Sequence, residues 1–388
     1  MKIVAAICQF ILPILWGFLS QIAILFISLL IFSVIVNSRM LTISDEVLRE
    51  WIDHQTPLNE EQRAVLIRQG YERLELYEHR LKENYLVDGM LVNRANNGEA
   101  LDLCDSLLFS SLRFAALKKL DRFEDAQTAW QAIETAKDNG HWFRHPSCRE
   151  DLSRDMLVGL LVALSQNPHQ GDFYLQALAD KIQAKAGFFS QGSFHESFLT
   201  PDVKNTLDNL LILNGISKIE LFWFDFSFLD WQVLFANDGY QSHLIALQIW
   251  MEYELQTLYK EKGRIFEEPV SPTIRALNLL SIFTKEPIKK QRLRWITHHL
   301  YANNRQNLFF KWLHLKSTGL LDENMRFLLL KELLEMHQFP SQHLPKDCER
   351  KADYLWQRQG DEYRPNTACT MSFNGSDFLW MIALLLGA

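Results

Sequence analysis

Helical segments that are apolar on almost all sides alternate along this chain with amphipathic helical segments. A helix that is apolar all round is packed on every side, whereas an amphipathic helix shows one face to water. The alternation therefore predicts an all-α fold, an (α/α)6 toroid with an inner and an outer ring of helices. An irregular helical array or solenoid is the alternative. The predicted inner helices are 105–118, 155–165, 207–216, 241–258, 273–284 and 377–387, and the predicted outer helices include the long segment before residue 86 and 122–138, 172–186, 286–303 and 322–337.

A hydrophobic leader precedes this pattern. No charged residue occurs between Lys2 and Arg39, a span of 36 residues, which is longer than the apolar core of a cleaved signal peptide. A helix that spans a bilayer needs about 20 residues, and Pro13 and Gly17 would disturb a helix in the first half of the span. We therefore predict a leader at 1–38 with one transmembrane helix at about 15–36, a linker at 39–59 and the toroid domain at 60–388.

The charges that flank the leader bear on its orientation. Lys2 and the α-amine favour a cytoplasmic N-terminus, whereas Arg39 and Arg49 favour the opposite. We expect a single-pass protein of the bacterial inner membrane, with its N-terminus inside and its domain on the periplasmic side.

The net charge of −7 excludes one class of partner. Proteins that bind nucleic acids concentrate positive charge on one face or stripe. The one short basic stretch, 289–294, is expected to be a solvated helix face. We therefore expect no nucleic-acid partner.

The cysteines do not decide the compartment. Cys104, Cys148, Cys348 and Cys369 follow the leader. Their even number is compatible with two disulfides, and free buried thiols are an equal alternative.

Three of the apolar runs begin with an acidic residue. Asp105 opens CDSLLFSSLRFAALKKL, Asp155 opens SRDMLVGLLVAL, and Asp377 opens NGSDFLWMIALLLGA. A carboxylate at a helix start either stabilises the helix end or takes part in chemistry, and Ser153 is a good N-cap residue for the second run. Both interpretations stay open for each of the three carboxylates.

The loops before the inner helices of a toroid meet at one face, so their polar residues are expected to line a shared cavity. The second loop, GHWFRHPSCREDLSRD, is the richest of them in aromatic and charged side chains. We predict catalytic roles for Asp105, Asp155 and His145. We predict substrate binding for nine further residues of these loops: Arg94, Asp102, Trp142, Arg144, Arg154, Trp356, Arg358, Asn374 and Asp377.

These residue types point to acid–base chemistry on a sugar. Arginine binds carboxylates in a bidentate manner, and histidine and aspartate exchange protons near neutral pH. A pair of carboxylates such as Asp102 and Asp155 can act on a glycosidic bond, one as the acid and the other as the base or nucleophile.

Other chemistries lack their motifs. The chain has no GxSxG, GxGxxG or GxxxxGK[ST] sequence, which argues against common hydrolase, dinucleotide and P-loop sites. His298-His299 and His195-Glu196 lack the further ligands that a zinc site needs. We expect neither a metal nor a cofactor.

The chain resembles the six-hairpin glycosidase superfamily of (α/α)6-barrel enzymes. The resemblance rests on CDSLLFSSLRFAAL, RHPSCREDLSRDMLVGLLVAL and FNGSDFLWMIALL, and it extends over residues 60–388. Members of this superfamily are mostly glycoside hydrolases and polysaccharide lyases that work in a central cavity. The resemblance implies that Asp105 and Asp155 are the acid–base pair, that Trp142 stacks on a sugar and that Arg144 binds an acidic sugar.

Two functions follow as expectations. The first is a membrane-anchored enzyme, a glycoside hydrolase or polysaccharide lyase, that acts on a polysaccharide or oligosaccharide of the envelope or on its way out of the cell. The second is a non-catalytic helical scaffold or glycan-binding component of an envelope assembly with protein partners. In both, the N-terminal helix contacts the lipid bilayer. The residues alone do not decide between them, because fold does not determine function.

Overall fold

The computed structural model describes most of the chain beyond residue 45. It covers residues 46–95, 97–138, 140–167, 171–189, 198–221, 240–266, 288–335 and 371–387, together with residues 28, 229, 232, 233 and 236.

The chain divides into two units, Met1–Thr56 and Pro57–Ala388. In the first unit, residues 46–53 form a short helix. The transmembrane helix predicted at about 15–36 lies, apart from Ser28, outside the described residues. None of the helices in the described part of the chain is both long enough and apolar enough to cross a membrane.

The second unit is mostly helical, as the sequence predicts. A 3₁₀ turn, Leu103–Asp105, leads directly into the second of its helices. Its described α-helices are α1 (Glu60–Asn84), α2 (Ser106–Lys119), α3 (Phe123–Thr135), α4 (Arg154–Ser165), α5 (Gly171–Ala184), α6 (Pro201–Leu213), α7 (Tyr240–Glu261), α8 (Ile288–Asn303), α9 (Leu308–Thr318), α10 (Glu323–Glu335) and α11 (Ser376–Leu386).

Short strands occupy the connections before α2, α4 and α11. The strands are β1 (Leu86–Val87), β2 (Met90–Leu91), β3 (Asn93–Ala95), β4 (Ala100–Leu101), β5 (Lys137–Asp138), β6 (His141–His145), β7 (Cys148–Asp151) and β8 (Met371–Ser372). They form three small antiparallel sheets in the described residues, with the strand orders β1–β2, β4–β3–β8 and β5–β6–β7. No strands were predicted here, because segments this short cannot show the alternation that identifies a strand.

α1 is the long amphipathic helix predicted before residue 86. A capping box starts it: Gln62 N donates to Asn59 Oδ1 at 2.8 Å, and Asn59 N donates to Gln62 Oε1 at 3.0 Å. On its buried face, Tyr77 stacks on Phe378 of α11, with the ring centroids 4.2 Å apart. The first long helix therefore packs against the last one.

α2, α4 and α11 are buried along nearly their whole length, as predicted for segments that are apolar all round. α2 packs between α4 and α11, and α7 packs against α4, α6 and α9. Trp380 of α11 has edge-on contacts with Trp250 of α7 at 4.5 Å and Phe309 of α9 at 6.2 Å between centroids. These helices therefore share one apolar core.

α2 and α4 come unusually close at Gly159. A β-carbon added there would lie 2.8 Å from the Cα atom of Leu108, a distance that requires the backbone of α2 to move. The absence of a side chain at Gly159 thus sets the spacing of these two helices.

A buried ion pair joins α1 to α2. Arg113 Nη2 donates to Glu78 Oε1 at 2.5 Å, Arg113 Nε donates to the same carboxylate, and both side chains are almost fully buried. Removing one partner would leave an uncompensated charge in the core, so the loss of either side chain is expected to be strongly destabilising.

Some of the predicted helical segments need correction, and one lies outside the described residues. The apolar segment predicted at 207–216 is part of a helix that starts earlier, at Pro201. The segment 273–284 lies outside the described residues. The buried helix α9 was not predicted, because Lys311 interrupts its apolar pattern. In the structure, the ammonium group of Lys311 pairs with Glu332 of α10 at 2.7 Å. The basic stretch 289–294 is not wholly solvated, because Arg292 is buried.

Candidate functional site

The loops before α2 and α11 meet in one small sheet. β3 pairs with both β4 and β8, which places Arg94 opposite Ser372. Behind this sheet, the buried Asn93 donates from Nδ2 to Asp102 Oδ2 at 2.7 Å and accepts two hydrogen bonds from Asn374 on Oδ1. Asp102 and Asn374 are therefore joined through Asn93, and Arg94 lies next to Asn93 in the same strand.

The loop before α4 is tied to the start of α2. Residues 141–151 form the β6–β7 hairpin, and a disulfide joins Cys148 in β7 to Cys104 in the 3₁₀ turn, with the Cα atoms 5.6 Å apart. The sequence leaves open whether the cysteines form disulfides or are free thiols, and in the structure Cys104 and Cys148 form a disulfide. Cys348 and Cys369 lie outside the described residues.

The disulfide also accounts for the metal-like group of side chains in the described residues. Ligand atoms of Cys104, Cys148 and Glu150 lie within 4.8 Å of one another. Both sulfur atoms belong to the disulfide, so they are not thiolate ligands.

The starts of α4, α6 and α7 enclose a pocket of about 390 Å³. Its size is that of a small-molecule site. We call it the mouth pocket. The exposed Arg154 is the predicted site residue that lines it. The other described lining residues are Thr200, Gln232, Ala236, Gln241, Leu244, Ile245 and Gln248.

A second, much smaller cavity lies between α6 and α7. We call it the inner chamber; its volume of about 10 Å³ is about that of a cavity that holds one water molecule. Gln248 lines both the mouth pocket and the inner chamber. The other described lining residues of the chamber are Asp202, Asn205, Thr206, Asn209, Leu229, Glu252, Leu255 and Phe266.

Polar atoms around the inner chamber have no hydrogen-bond partner among the described residues. Gln248 Oε1, Glu252 Oε1 and Asn205 Nδ2 are buried without a hydrogen bond. The opposite ends of two of these groups are held: Gln248 Nε2 donates to Leu244 O at 3.1 Å, and Arg292 donates to Glu252 Oε2. Buried polar groups are normally satisfied, so the chamber has the polarity and the size to hold a water molecule or a ligand hydroxyl.

Two carboxylates line the chamber, Asp202 and Glu252. Gln232 Nε2, from the wall of the mouth pocket, donates to Asp202 Oδ2 at 3.2 Å. The side chains of Asp202 and Glu252 are both more than nine-tenths buried. Carboxylates beside a water-sized space can serve as general acids or bases towards a water molecule.

A third carboxylate on α6 has a structural role. Asp208 pairs with the buried Lys204 at 2.6 Å and accepts a hydrogen bond from Ile219 N at 2.9 Å. Burial raises the pKa of the Asp208 carboxyl, and the Lys204 hydrogen bond opposes that effect.

The three acidic residues that open apolar runs are all at helix starts. Asp105 is the N-cap residue of α2, but its side chain makes no capping hydrogen bond. Asp155, the second residue of α4, accepts a hydrogen bond from Ser153 Oγ, so Ser153 does not cap the helix with its own side chain. Asp377 is buried and accepts a hydrogen bond from Phe378 N at 2.9 Å. Asp155 and Asp377 are placed to interact with the helix dipole.

Both ring nitrogens of His145 are bonded to the backbone. Ser147 N donates to Nδ1 at 3.0 Å, so the proton is on Nε2, which donates to Val87 O at 3.1 Å. The ring is fully buried. His145 therefore joins the β6–β7 hairpin to β1, and no ring nitrogen faces a substrate.

Two predicted arginines bind backbone carbonyls. Arg94 donates to the carbonyl oxygens of Asn84, Leu86 and Gly98 at 2.7–3.3 Å. Arg144 Nε donates to Asp151 O at 2.9 Å, and its guanidinium lies 3.6 Å from Glu150. Both arginines stabilise loops in this conformation.

Trp142 is a core residue. It is 2% exposed and packs against Trp130 and Tyr174, with the ring centroids 6.3 and 5.7 Å apart. A buried ring cannot stack on a sugar. Trp356 and Arg358 lie outside the described residues.

Apart from Arg154, the described residues that line the two cavities were not predicted from the sequence. Asp202, Thr206 and Asn209 are four and three residues apart on α6, and Gln241, Gln248 and Glu252 are seven and four apart on α7. Such spacings place side chains on one helical face. A polar stripe on an otherwise apolar helix was therefore the signal that could have found them.

No protein-family model matches this chain, and no curated protein matches it in sequence.

Proposed function

We propose that the second unit is an (α/α)6 toroid. The inner ring comprises α2, α4, α6, α7, α9 and α11, and α1, α3, α5, α8 and α10 belong to the outer ring. The order of packing supports this arrangement, since α11, α2, α4, α6, α7 and α9 each contact the next helix in that order and α9 reaches α11 through Phe309 and Trp380. In this arrangement α9 takes the inner position that the sequence analysis assigned to 273–284.

We propose that the mouth pocket binds a polysaccharide or oligosaccharide. The observation that carries this proposal is the lining of the pocket, where the three glutamines Gln232, Gln241 and Gln248 stand beside Thr200, Arg154 and apolar side chains. Each carboxamide both donates and accepts hydrogen bonds, as each sugar hydroxyl does. Leu244 and Ile245 also line the pocket but are almost fully buried, so the proposal rests on the polar side chains.

The proposed setting is the periplasmic side of a bacterial inner membrane, with the leader as the anchor. The Cys104–Cys148 disulfide supports this setting, because disulfides persist in oxidising compartments such as the periplasm. Envelope proteins are the expected protein partners.

Binding is tested on a glycan array with the full-length protein in detergent. Gln241→Leu and Gln248→Leu remove the hydrogen-bonding groups with little change in volume, and each is expected to weaken glycan binding at least about tenfold, the worth of one or two hydrogen bonds. Gln176→Leu is the matched control, since Gln176 is exposed on α5, far in sequence from the pocket. Equal binding by all three variants would contradict the proposal.

The inner chamber supports a second candidate, hydrolysis of the bound glycan. In this proposal the water molecule lies between Asp202 and Glu252, and Arg292 fixes the Glu252 carboxylate while leaving Oε1 directed at the chamber. One carboxyl group serves as the acid and the other as the base. In this proposal the pair Asp202 and Glu252 takes the place of Asp105 and Asp155.

The two candidate pairs are separated by four variants. If Asp202 and Glu252 are catalytic, Asp202→Asn and Glu252→Gln abolish glycan turnover but keep glycan binding, while Asp105→Asn and Asp155→Asn remain active. The reverse result supports the pair implied by the resemblance. If wild-type protein binds a glycan and releases no product under any condition, the protein is a glycan-binding component without catalysis.

A further inference from the structure

A third cavity, a pocket of about 380 Å³, lies at the opposite ends of the inner helices from the mouth pocket. Lys119 near the end of α2, Glu254 of α7, Lys316 of α9 and Gly387 after α11 line it, together with residues at the start of α10. We call it the rear pocket. It shares no described lining residue with the mouth pocket.

The acidic groups of the rear pocket are already engaged. Glu254 forms an ion pair with Lys119 at 2.8 Å. Asp322 Oδ1 accepts a hydrogen bond from Met325 N at 2.7 Å and so caps α10. Glu323 lies 3.5 Å from Arg63 on the protein surface.

Lys316 has no such partner. Its ammonium group lies over the rings of Trp312 at 4.8 Å and Tyr253 at 5.0 Å. Among the described residues, no carboxylate pairs with it within 4.0 Å. Burial lowers the pKa of the Lys316 amine, Glu254 raises it and Lys119 lowers it further, so a ligand anion would stabilise its charged form.

Arg326 is the second cation. One of its terminal nitrogens, Nη1, donates to Gly387 O at 3.1 Å, and its guanidinium lies over the ring of Phe327. Its Nε atom is buried and has no hydrogen-bond partner within the described part of the chain. Arg326 also lines the rear pocket, and an unsatisfied guanidinium donor calls for an acceptor oxygen.

We propose that the rear pocket binds a small oxyanion, a carboxylate or phosphate group, between Lys316 and Arg326. Guanidinium groups bind such anions through two parallel hydrogen bonds, and a lysine adds a point charge. The partial negative charge at the carbonyl ends of α2, α9 and α11 opposes an anion, and Lys119, already paired with Glu254, reduces that opposition. Trp312 lines the same pocket and is the aromatic neighbour that the body of the ligand would contact.

Isothermal titration calorimetry at pH 7 tests the proposal. The full-length protein in detergent is titrated with inorganic phosphate and, separately, with acetate. Wild-type protein is expected to bind one equivalent of at least one anion, and the two titrations tell phosphate from carboxylate. Lys316→Met and Arg326→Met are each expected to weaken binding about tenfold or more, as for loss of a charge-assisted hydrogen bond.

Two controls place the anion. Lys137 also lies over an aromatic ring, that of Tyr174 at 3.9 Å, and burial also lowers its pKa, so Lys137→Met removes a comparable lysine outside the pocket and should bind as wild type. Arg154→Met tests whether the anion is in the mouth pocket instead. Absence of binding to wild type, equal binding by Lys316→Met, or loss only in Arg154→Met would each overturn the proposal, whatever the outcome of the glycan experiments.

Discussion

Asn93 Oδ1 accepts two hydrogen bonds from Asn374, one from the backbone nitrogen at 3.0 Å and one from Nδ2 at 2.9 Å, although 281 residues separate the two in sequence. Asn93 is fully buried, and its own Nδ2 donates to Asp102. One amide side chain thus holds together the loops before the first and the last apolar helix.

Replacing Asn93 by alanine would leave the two buried donors of Asn374 without an acceptor. We expect Asn93→Ala to lower the free energy of unfolding by about 2–3 kcal/mol, the cost of unsatisfied buried polar groups. Urea denaturation followed by circular dichroism measures the change. Asn84→Ala, which removes an exposed amide bonded to Arg80 O, should stay within about 0.5 kcal/mol of wild type. Similar losses in the two variants would show that the Asn93–Asn374 contact is unimportant.

The close approach of α2 and α4 predicts opposite outcomes for two helical glycines. In Gly159→Ala the new methyl group meets the backbone of Leu108 at 2.8 Å, so we expect a net loss of about 1–3 kcal/mol in unfolding free energy from overpacking. In Gly70→Ala the nearest atoms are side-chain ends of Leu386 at 3.2 Å, which can rotate away. The control should be neutral or gain up to about 1 kcal/mol from helix propensity. Thermal and urea unfolding of both variants measure these changes. A Gly159→Ala variant as stable as Gly70→Ala would contradict the close helix contact.

Buried histidines predict a loss of stability in acid. Burial lowers the pKa of His299 to about 4, and burial together with Arg294 lowers the pKa of His314 to about 4. In the unfolded chain these rings take up a proton below about pH 6.5, whereas the folded protein resists protonation until about pH 4. Stability is therefore full above pH 6.5 and falls as the pH decreases to 4, by up to about 3 kcal/mol for each ring.

The measurement is the urea midpoint of wild type and of His299→Leu at intervals from pH 7.5 to pH 4. Carboxyl groups also titrate in this range, so the informative quantity is the difference between the two proteins. The stability of His299→Leu should fall less steeply than that of wild type below pH 6.5. Parallel curves would mean that His299 is protonated equally in both states.

The disulfide predicts a redox-dependent stability. It closes a loop with a sequence separation of 44, for which chain entropy gives a stabilisation of about 4 kcal/mol. We expect the double variant Cys104→Ser/Cys148→Ser to lose that amount of unfolding free energy and so to unfold at a lower urea concentration. Wild-type protein treated with dithiothreitol should have the same urea midpoint as the variant. If reductant leaves the wild-type midpoint unchanged, the two thiols are not joined in the protein.

Helix starts were predictable from the sequence, because carboxylates near apolar runs interact favourably with helix ends whatever the surroundings. Asp105 directly precedes α2, and Asp155 and Asp377 are each the second residue of their helices. Exposure was not predictable in the same way. Trp142 has the chemistry of a sugar platform, but its position on the short strand β6 turns it towards Trp130 and Tyr174.

The site was only partly predictable for a related reason. Arg154 was found because it sits in a charged loop, and it does line the mouth pocket. Gln248 and Glu252 were missed because they lie inside the long helix α7, away from the loops in which site residues were expected. Their role depends on which side of α7 faces α6, and that is decided by tertiary packing rather than by local sequence.

The antiparallel pairing of β3 with β8 has a consequence for biosynthesis. The partner that completes this sheet, and α11 behind it, is translated almost 300 residues after β3. Until it emerges from the ribosome, Tyr77 and the flank of α2 lack their apolar cover. The nascent chain is thus expected to require chaperone protection for most of its synthesis, and to close cooperatively only when its last helix arrives.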